Sequence, residues 1–205
     1  MFLQNLRTQT NSSHKALEQN PLSFLLMQDT VGVEDYINYL KKLYGFVKGF
    51  EKNVFPILHN TLSDIEQRKK THLLKTDLLA QHQDLSKIEM PDDSMFYQNF
   101  TTESSAWGGM YVLEGSTLGG QIINRHLQKN IGETIGQSHY FAGYGAETGR
   151  FWKFFLENLC TQADKSPHFE NEIITAAIKT FDLMDSWLKS NDNIKPKKSN
   201  LNIFN

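Results

Sequence analysis

The chain has 205 residues, 39% hydrophobic and 21% charged, with a formal net charge of −2. That length supports one well-packed core, and the composition fits a globular protein rather than a disordered one. The near-neutral balance excludes nucleic acid as the main partner, because phosphate binding needs an excess of clustered Lys and Arg.

Apolar residues recur at helical spacing and alternating runs are scarce, which predicts an all-α fold. The first helix is expected over Phe2 to Glu18, with Leu3, Leu6, Thr10, His14 and Leu17 on one stripe. Its start lacks a basic stretch followed by an apolar run, so no signal peptide is expected. Pro21 then interrupts. A second helix runs from about Val33 to Phe55, its stripe carrying Tyr36, Tyr39, Leu40, Leu43, Tyr44 and Phe50. Ser63 with Glu66 three residues later reads as a capping box opening a third helix towards Gln83. Within it, Arg68-Lys69-Lys70 reads as a solvated face. Met90 to Asp93 is a loop.

A fourth, long helix is predicted from Thr102 to Lys129, followed by an irregular connection marked by Gly132, Gly136, Gly143 and Gly145. Two last helices follow, Ala146 to Gln162 and Pro167 to Lys189, the latter with Ser166 as N-cap and proline at its first position. One helical domain over 1–190 and a polar, mobile tail over 191–205 are the expected organisation. Cys160 stands alone, so no disulfide or CxxC motif exists and a reducing, cytoplasmic setting is expected. It falls in an apolar pattern that favours a buried, inert thiol. No apolar run approaches the length of a membrane span.

The segment Trp107 to Ile123 reads as helix yet holds five of the 13 glycines. Each glycine inside a helix costs roughly 1 kcal/mol against alanine, so something must offset it. Gly115, Ser116, Gly119 and Gly120 fall at i, i+1, i+4 and i+5 and form one side-chain-poor face. Two uses fit: close packing of a second helix, or a planar ligand lying on bare backbone. Spacing does not choose between them.

His14 lies on the apolar stripe of the first helix, where a lone histidine is either a hydrogen-bonded core residue or a ligand. Glu18 is one turn on, on the same side. It can take the proton of one ring nitrogen and leave the other free for a metal, as at iron-ligating histidines. Arg7 is two turns back, about 10.5 Å along the axis. That matches the reach from a central iron to a carboxylate at the rim of a haem, which a guanidinium pairs with well. A surface position near the N-terminus is the plain alternative. The remaining histidines (59, 72, 82, 126, 139 and 168) share no ligand spacing and read as mostly surface residues.

The pattern Leu6-Arg7-x-x-Thr10-x-x-x-His14-x-x-Leu17-Glu18, together with Tyr111-Val112-Leu113-Glu114-Gly115-Ser116-Thr117-Leu118-Gly119-Gly120, resembles the haem oxygenases. It looks closest to the bacterial, biliverdin-forming branch, and the resemblance spans the chain as far as about Trp187. It implies a haem that is both cofactor and substrate, held between a proximal helix and a kinked distal helix. His14 would be the axial iron ligand, Glu18 its orienting partner, and Arg7 a propionate partner, with Tyr111 also at the cofactor. Gly115, Ser116, Gly119 and Gly120 would line the oxygen side. Arg150 and Lys153 fall in the region where the family uses basic or tyrosine residues for the propionates, although no motif fixes them. O2 and an external electron donor, a reductase or ferredoxin-type protein, would complete a reaction giving biliverdin, carbon monoxide and ferrous iron. One departure stands out: animal-type members carry an aspartate directly after the first distal glycine, where this chain has Ser116. Glu114 is expected to point to another face, towards solvent or a neighbouring helix.

Three rivals are separable. A haem store, carrier or sensor shares every binding feature and draws support from Ser116. A thiaminase-like hydrolase of similar fold would need a reactive nucleophile, a role that the setting of Cys160 disfavours. A di-iron carboxylate bundle uses Glu-x-x-His pairs, which this chain lacks.

Overall fold

The structure, a computed structural model, describes residues 1–190; the tail expected over 191–205 lies outside the described residues. The described residues are helical with no strand. Helix α1 spans Phe2–Glu18 and α2 spans Pro21–Leu26. Pro21 therefore opens a helix rather than merely interrupting one. Its missing N–H costs nothing at the first position, and the Asn20 side chain accepts from Leu22 N. Helix α3, Val33–Asn53, has the expected extent, and the short α4, Phe55–Leu58, continues after it with Pro56 near its start.

The third expected helix is shorter than the capping-box reading implied. A 3-10 turn occupies Ile65–Arg68, and α5 begins only at Thr71, running Thr71–Ala80. Across that break Arg68 and Lys70 turn inward, and both are buried. The reading of Arg68-Lys69-Lys70 as a solvated face is thus wrong for two of the three residues. After α6, Ser94–Tyr97, comes α7, Glu103–Ile135, capped by Thr102, whose side chain accepts from Ser105 N. It extends six residues past the expected end because Gly132 stays helical. Termination falls at Gly136, whose φ of +66° is the left-handed turn that glycine accommodates.

The stretch read as irregular contains α8, His139–Ala142. Asp77 of α5 organises it: its carboxylate accepts from the backbone N–H of His139 and of Tyr140 at 2.8 and 2.9 Å, and lies 2.8 Å from His139 Nδ1. Helices α9, Thr148–Ala163, and α10, Pro167–Lys189, complete the chain, the latter with Ser166 accepting from Phe169 N as expected.

Helix α10 packs along both α7 and α1. Where α7 crosses it, a Cβ on Gly108 would run into the backbone carbonyl of Ile173 and come within 2.8 Å of the Ala176 methyl. Gly109 is equally tight, with the rings of Phe50 and Phe100 within 2.8 Å of its Cβ position. These two glycines are packing glycines. The core behind them is aromatic, with Phe46, Phe50, Phe96, Phe100 and Trp107 fully or almost fully buried. No helix among the described residues is long and apolar enough to cross a membrane.

Candidate functional site

Because α1 and α7 both lean on α10, a gap is left between them. It forms a cavity of about 440 Å³. One wall is the α1 stripe, with Arg7, Thr10, His14 and Leu17. The opposite wall is α7, with Tyr111, Gly115, Ser116, Thr117 and Gly120. Phe181 and Met184 of α10 complete the α1 side, Trp152 of α9 closes one end, and Tyr39 and Leu43 of α3 meet Tyr140 and Phe141 of α8 at another.

The glycines of α7 divide along its length. At Gly115 a Cβ would meet only the Trp152 ring at 3.5 Å, and at Gly119 nothing stands within 4 Å. At Gly120 the nearest atom is the Phe141 carbonyl oxygen at 3.3 Å. The backbone of α8 thus lies against α7 at Gly120, less tightly than α10 does at Gly108. Helix packing therefore applies at Gly108 and Gly109, and on the side-chain-poor face it applies at Gly120, while Gly115 and Gly119 have no close neighbour. Gly119 is exposed at the edge of the cavity rather than part of its lining.

His14 presents a half-exposed ring to the cavity, tilted against Phe181 with centroids 5.3 Å apart. Its Nε2 lies 3.7 Å from a carboxylate oxygen of Glu18, which stands beside the cavity. Arg7 and Thr10 lie next to the Tyr111 hydroxyl. Burial pushes that phenol up from its ordinary pKa, and the two α1 groups partly offset the shift. Arg150 and Lys153 lie on the solvent side of α9, outside the cavity lining. Arg150 is paired with Glu147, and Lys153 stands 3.9 Å from Glu157.

Behind the α7 wall sits a buried ionic cluster that local pattern did not reveal. Glu114 is 1% exposed, so of the two expected directions it takes the second, away from solvent and towards the neighbouring 3-10 turn and the start of α5. Its carboxylate accepts from Arg68 Nη1 and from Lys70 Nζ, the latter at 2.5 Å, and from the Tyr144 hydroxyl at 2.9 Å. Arg68 also holds Asp64 and the carbonyl of Phe151. Lys70, whose side chain reaches the cavity wall, gives its remaining two hydrogens to the carbonyl of Arg68 and to Tyr144. Two cations thus face two carboxylates with every charge paired, the condition under which burial of ions is tolerated. Burial and the neighbouring Glu114 charge push the Tyr144 phenol far above its ordinary range.

Cys160 is partly buried, and burial together with Asp164 raises its thiol pKa, so an unreactive thiol stands. His139, on Asp77, and His126, against the carbonyl of Gln28, are held rather than simply solvated. Among the described residues no group of three His, Cys, Asp or Glu side chains could hold a bare metal ion. The cavity offers one imidazole, which suits a metal that brings its remaining ligands with it. The residues that sequence reasoning missed (Lys70, Tyr39, Tyr140, Trp152, Phe181 and Met184) come from five separate segments. Their positions carry only the ordinary periodicity of core residues.

A family model described as "Heme oxygenase" matches residues 1–190. A curated "Heme oxygenase" from Xanthomonas campestris pv. campestris (strain 8004) is 28% identical over 117 residues, covering 57% of this chain and 67% of that protein. Among solved structures, the fold is similar to the NO- and CO-bound heme oxygenase of Neisseria meningitidis. That match has a TM-score of 0.71 at 24% identity, over 92% of this chain and 90% of that one. It is also similar to the heme oxygenase of Leptospira interrogans, with a TM-score of 0.77 at 16% identity, over 91% of this chain and 98% of that one.

Proposed function

The chain belongs to the haem oxygenase family, and from that premise we propose that it binds haem between α1 and α7 and cleaves it with O2 to biliverdin, carbon monoxide and ferrous iron. The observation that carries this reading is that His14 on α1 and Gly115, Ser116 and Gly120 on α7 line one cavity. Its volume falls in the range of roughly 300–1,000 Å³ typical of small-molecule sites. The room at Gly115 inside the cavity, where a Cβ would meet only the Trp152 ring at 3.5 Å, is what a flat ligand needs against a helix backbone. The residues present therefore fit the group.

His14, the one histidine that lines the cavity, would hold the haem iron. Its ring is exposed enough to rotate, so that one nitrogen faces the cavity while the other gives its hydrogen to Glu18 or a backbone carbonyl. Arg7, at the cavity two turns away, pairs with a propionate, and Tyr111 beside it supplies a neutral hydroxyl to the same rim. Arg150 and Lys153 are long, solvated side chains suited only to carboxylates that project out of the cavity. Leu17, Leu43, Phe181 and Met184 exclude water from the ring face and edges. Haem held here would supply the redox-active iron needed to reduce O2. Gly115, Gly119 and Gly120 leave that side free of bulk, and Ser116 stands among them as a hydrogen-bond acceptor. Electrons come from an external reductase or ferredoxin-type donor, and a cytoplasmic setting suits the single cysteine.

A second reading, haem binding without turnover, draws on Ser116. Its hydroxyl is donated to the carbonyl of Leu113 at 2.7 Å, and it has no carboxylate charge with which to order a proton supply. Hemin titration of the wild type and His14→Ala tests binding: a Soret band characteristic of histidine ligation is expected only in the wild type. Adding a reductase or ascorbate under air then separates the two readings. Soret loss with the appearance of biliverdin supports turnover, and a stable reduced complex refutes it.

A further inference from the structure

The buried cluster behind α7 is balanced in charge but not in placement. Its ion pairs run in one row, Asp64 to Arg68, Arg68 to Glu114 and Glu114 to Lys70, with the signs alternating. Asp64, 16% exposed, is the end that meets solvent, and Lys70 is the end that lines the cavity. Arg68, Glu114 and Asp64 lie outside the lining. Lys70 is held firmly in that place. The Glu51 carboxylate accepts from its backbone N–H at 2.5 Å, and its Nζ donates to Glu114 at 2.5 Å, to the Tyr144 hydroxyl at 2.8 Å and to the Arg68 carbonyl at 3.1 Å. Among the described residues that line the cavity there are two cations, Arg7 on α1 and Lys70, and no carboxylate.

We infer that Lys70 is a positioning residue that acts by its field, turning the positive end of this buried row of charges towards a ligand on the α7 side of the cavity. The inference rests on the proposed haem site and deepens it. Contact chemistry is closed to Lys70, because its three hydrogens are already given to Glu114, Tyr144 and Arg68. Its charge still acts at a distance. The nearest opposite charge, Glu114, stands farther from the cavity, so the two do not cancel there. Away from bulk water such a fixed pair is screened less than it would be at the surface. The proposed reaction adds electrons to O2, and a cation already in place stabilises the resulting negative charge without rearrangement. Ser116, which is neutral, leaves that field unopposed at the α7 wall.

The test uses azide, an anion that binds ferric haem and senses the potential beside the iron. Wild type, Lys70→Gln, Glu114→Gln and the double variant are loaded with hemin, and sodium azide is titrated into each at one fixed pH. Lys70→Gln is expected to weaken azide binding on the order of tenfold, the scale of one unit charge acting across a cavity at an effective dielectric constant of about 20. Glu114→Gln removes the negative neighbour and leaves the cation, so it should bind azide more tightly than the wild type. The double variant should fall between Lys70→Gln and the wild type. Both single variants break a buried ion pair and should melt below the wild type. A purely structural role would therefore move azide affinity the same way in both. Equal affinity in all four proteins, or a change of the same sign in the two single variants, overturns the inference and leaves the haem reading standing. Where a single variant does not fold, the double variant, which strands neither charge of the pair, decides alone: azide bound as tightly as by the wild type overturns the inference. Failure of the wild type to take up hemin is a different outcome, seen in the first titration, and removes the haem reading together with this one.

Discussion

Substituting Gly108 and Gly119 separately tests the division of labour along α7, because both lie inside the same helix and should respond in opposite ways. Replacing a helical glycine by alanine gains roughly 1 kcal/mol of intrinsic helix propensity. At Gly119 the new methyl meets nothing within 4 Å, so the gain should be realised almost in full. For a chain of this size it corresponds to a rise of about 2–4 °C in melting temperature of the apoprotein. At Gly108 the same methyl collides with the backbone carbonyl of Ile173 and with Ala176, neither of which can swing aside. Overpacking of that kind costs about 1–3 kcal/mol or more, so the net effect is destabilising. Hemin affinity should move the other way for Gly119→Ala. A macrocycle in van der Waals contact with the backbone must lift off by the width of a methyl, and a loss of about 1–3 kcal/mol is roughly 5- to 150-fold in dissociation constant. Differential scanning fluorimetry of the apoproteins and hemin titration of each variant give both numbers. A Gly119→Ala protein that is more stable and binds hemin as tightly as wild type would refute the claim that the ligand rests on bare backbone there.

Glu114→Ala strands the buried Lys70 charge and leaves Arg68 with Asp64 alone, for which a loss of about 3–5 kcal/mol is expected, readable by chemical denaturation; Glu114→Leu should be no better, since the cations remain. The folded state should also weaken in alkali. Tyr36, Tyr39, Tyr111, Tyr140 and Tyr144 all have pKa values raised above the ordinary 10.0, chiefly by burial. The unfolded chain therefore loses these protons first. Their contribution is complete below pH 10 and falls as the pH rises above it. Melting temperatures measured from pH 8.5 to 11.5 should drop across that window, and a flat profile would contradict the burial of these phenols.

The extents of α1, α3 and α10 were legible because each has a long apolar stripe and, at Ser166-Pro167, a local start signal. The walls of the candidate site were legible where a local anomaly marks them: an imidazole on an apolar stripe, and too many glycines in a helix. It was illegible where the partner is remote. Nothing near Arg68 or Lys70 announces that their counter-ion is Glu114, 46 and 44 positions away. Helix α8 was hidden for the same reason. Four residues are too few to establish a period, and its backbone is held by Asp77, 62 positions before His139. The glycines that mark the distal helix do not break it, since α7 is helical throughout Glu103–Ile135.

The glycines of α7 also set what a mutational survey of this chain would record. Side chains introduced at 108 or 109 have no room because of the protein's own atoms, so cells should lose the protein itself. Those introduced at 115 or 119 meet almost none of the protein's own atoms, and on the proposed reading should leave abundance intact while silencing output. Two screens on one library, one scoring the amount of protein and the other pigment, would mark along a single helix where selection for folding gives way to selection for chemistry.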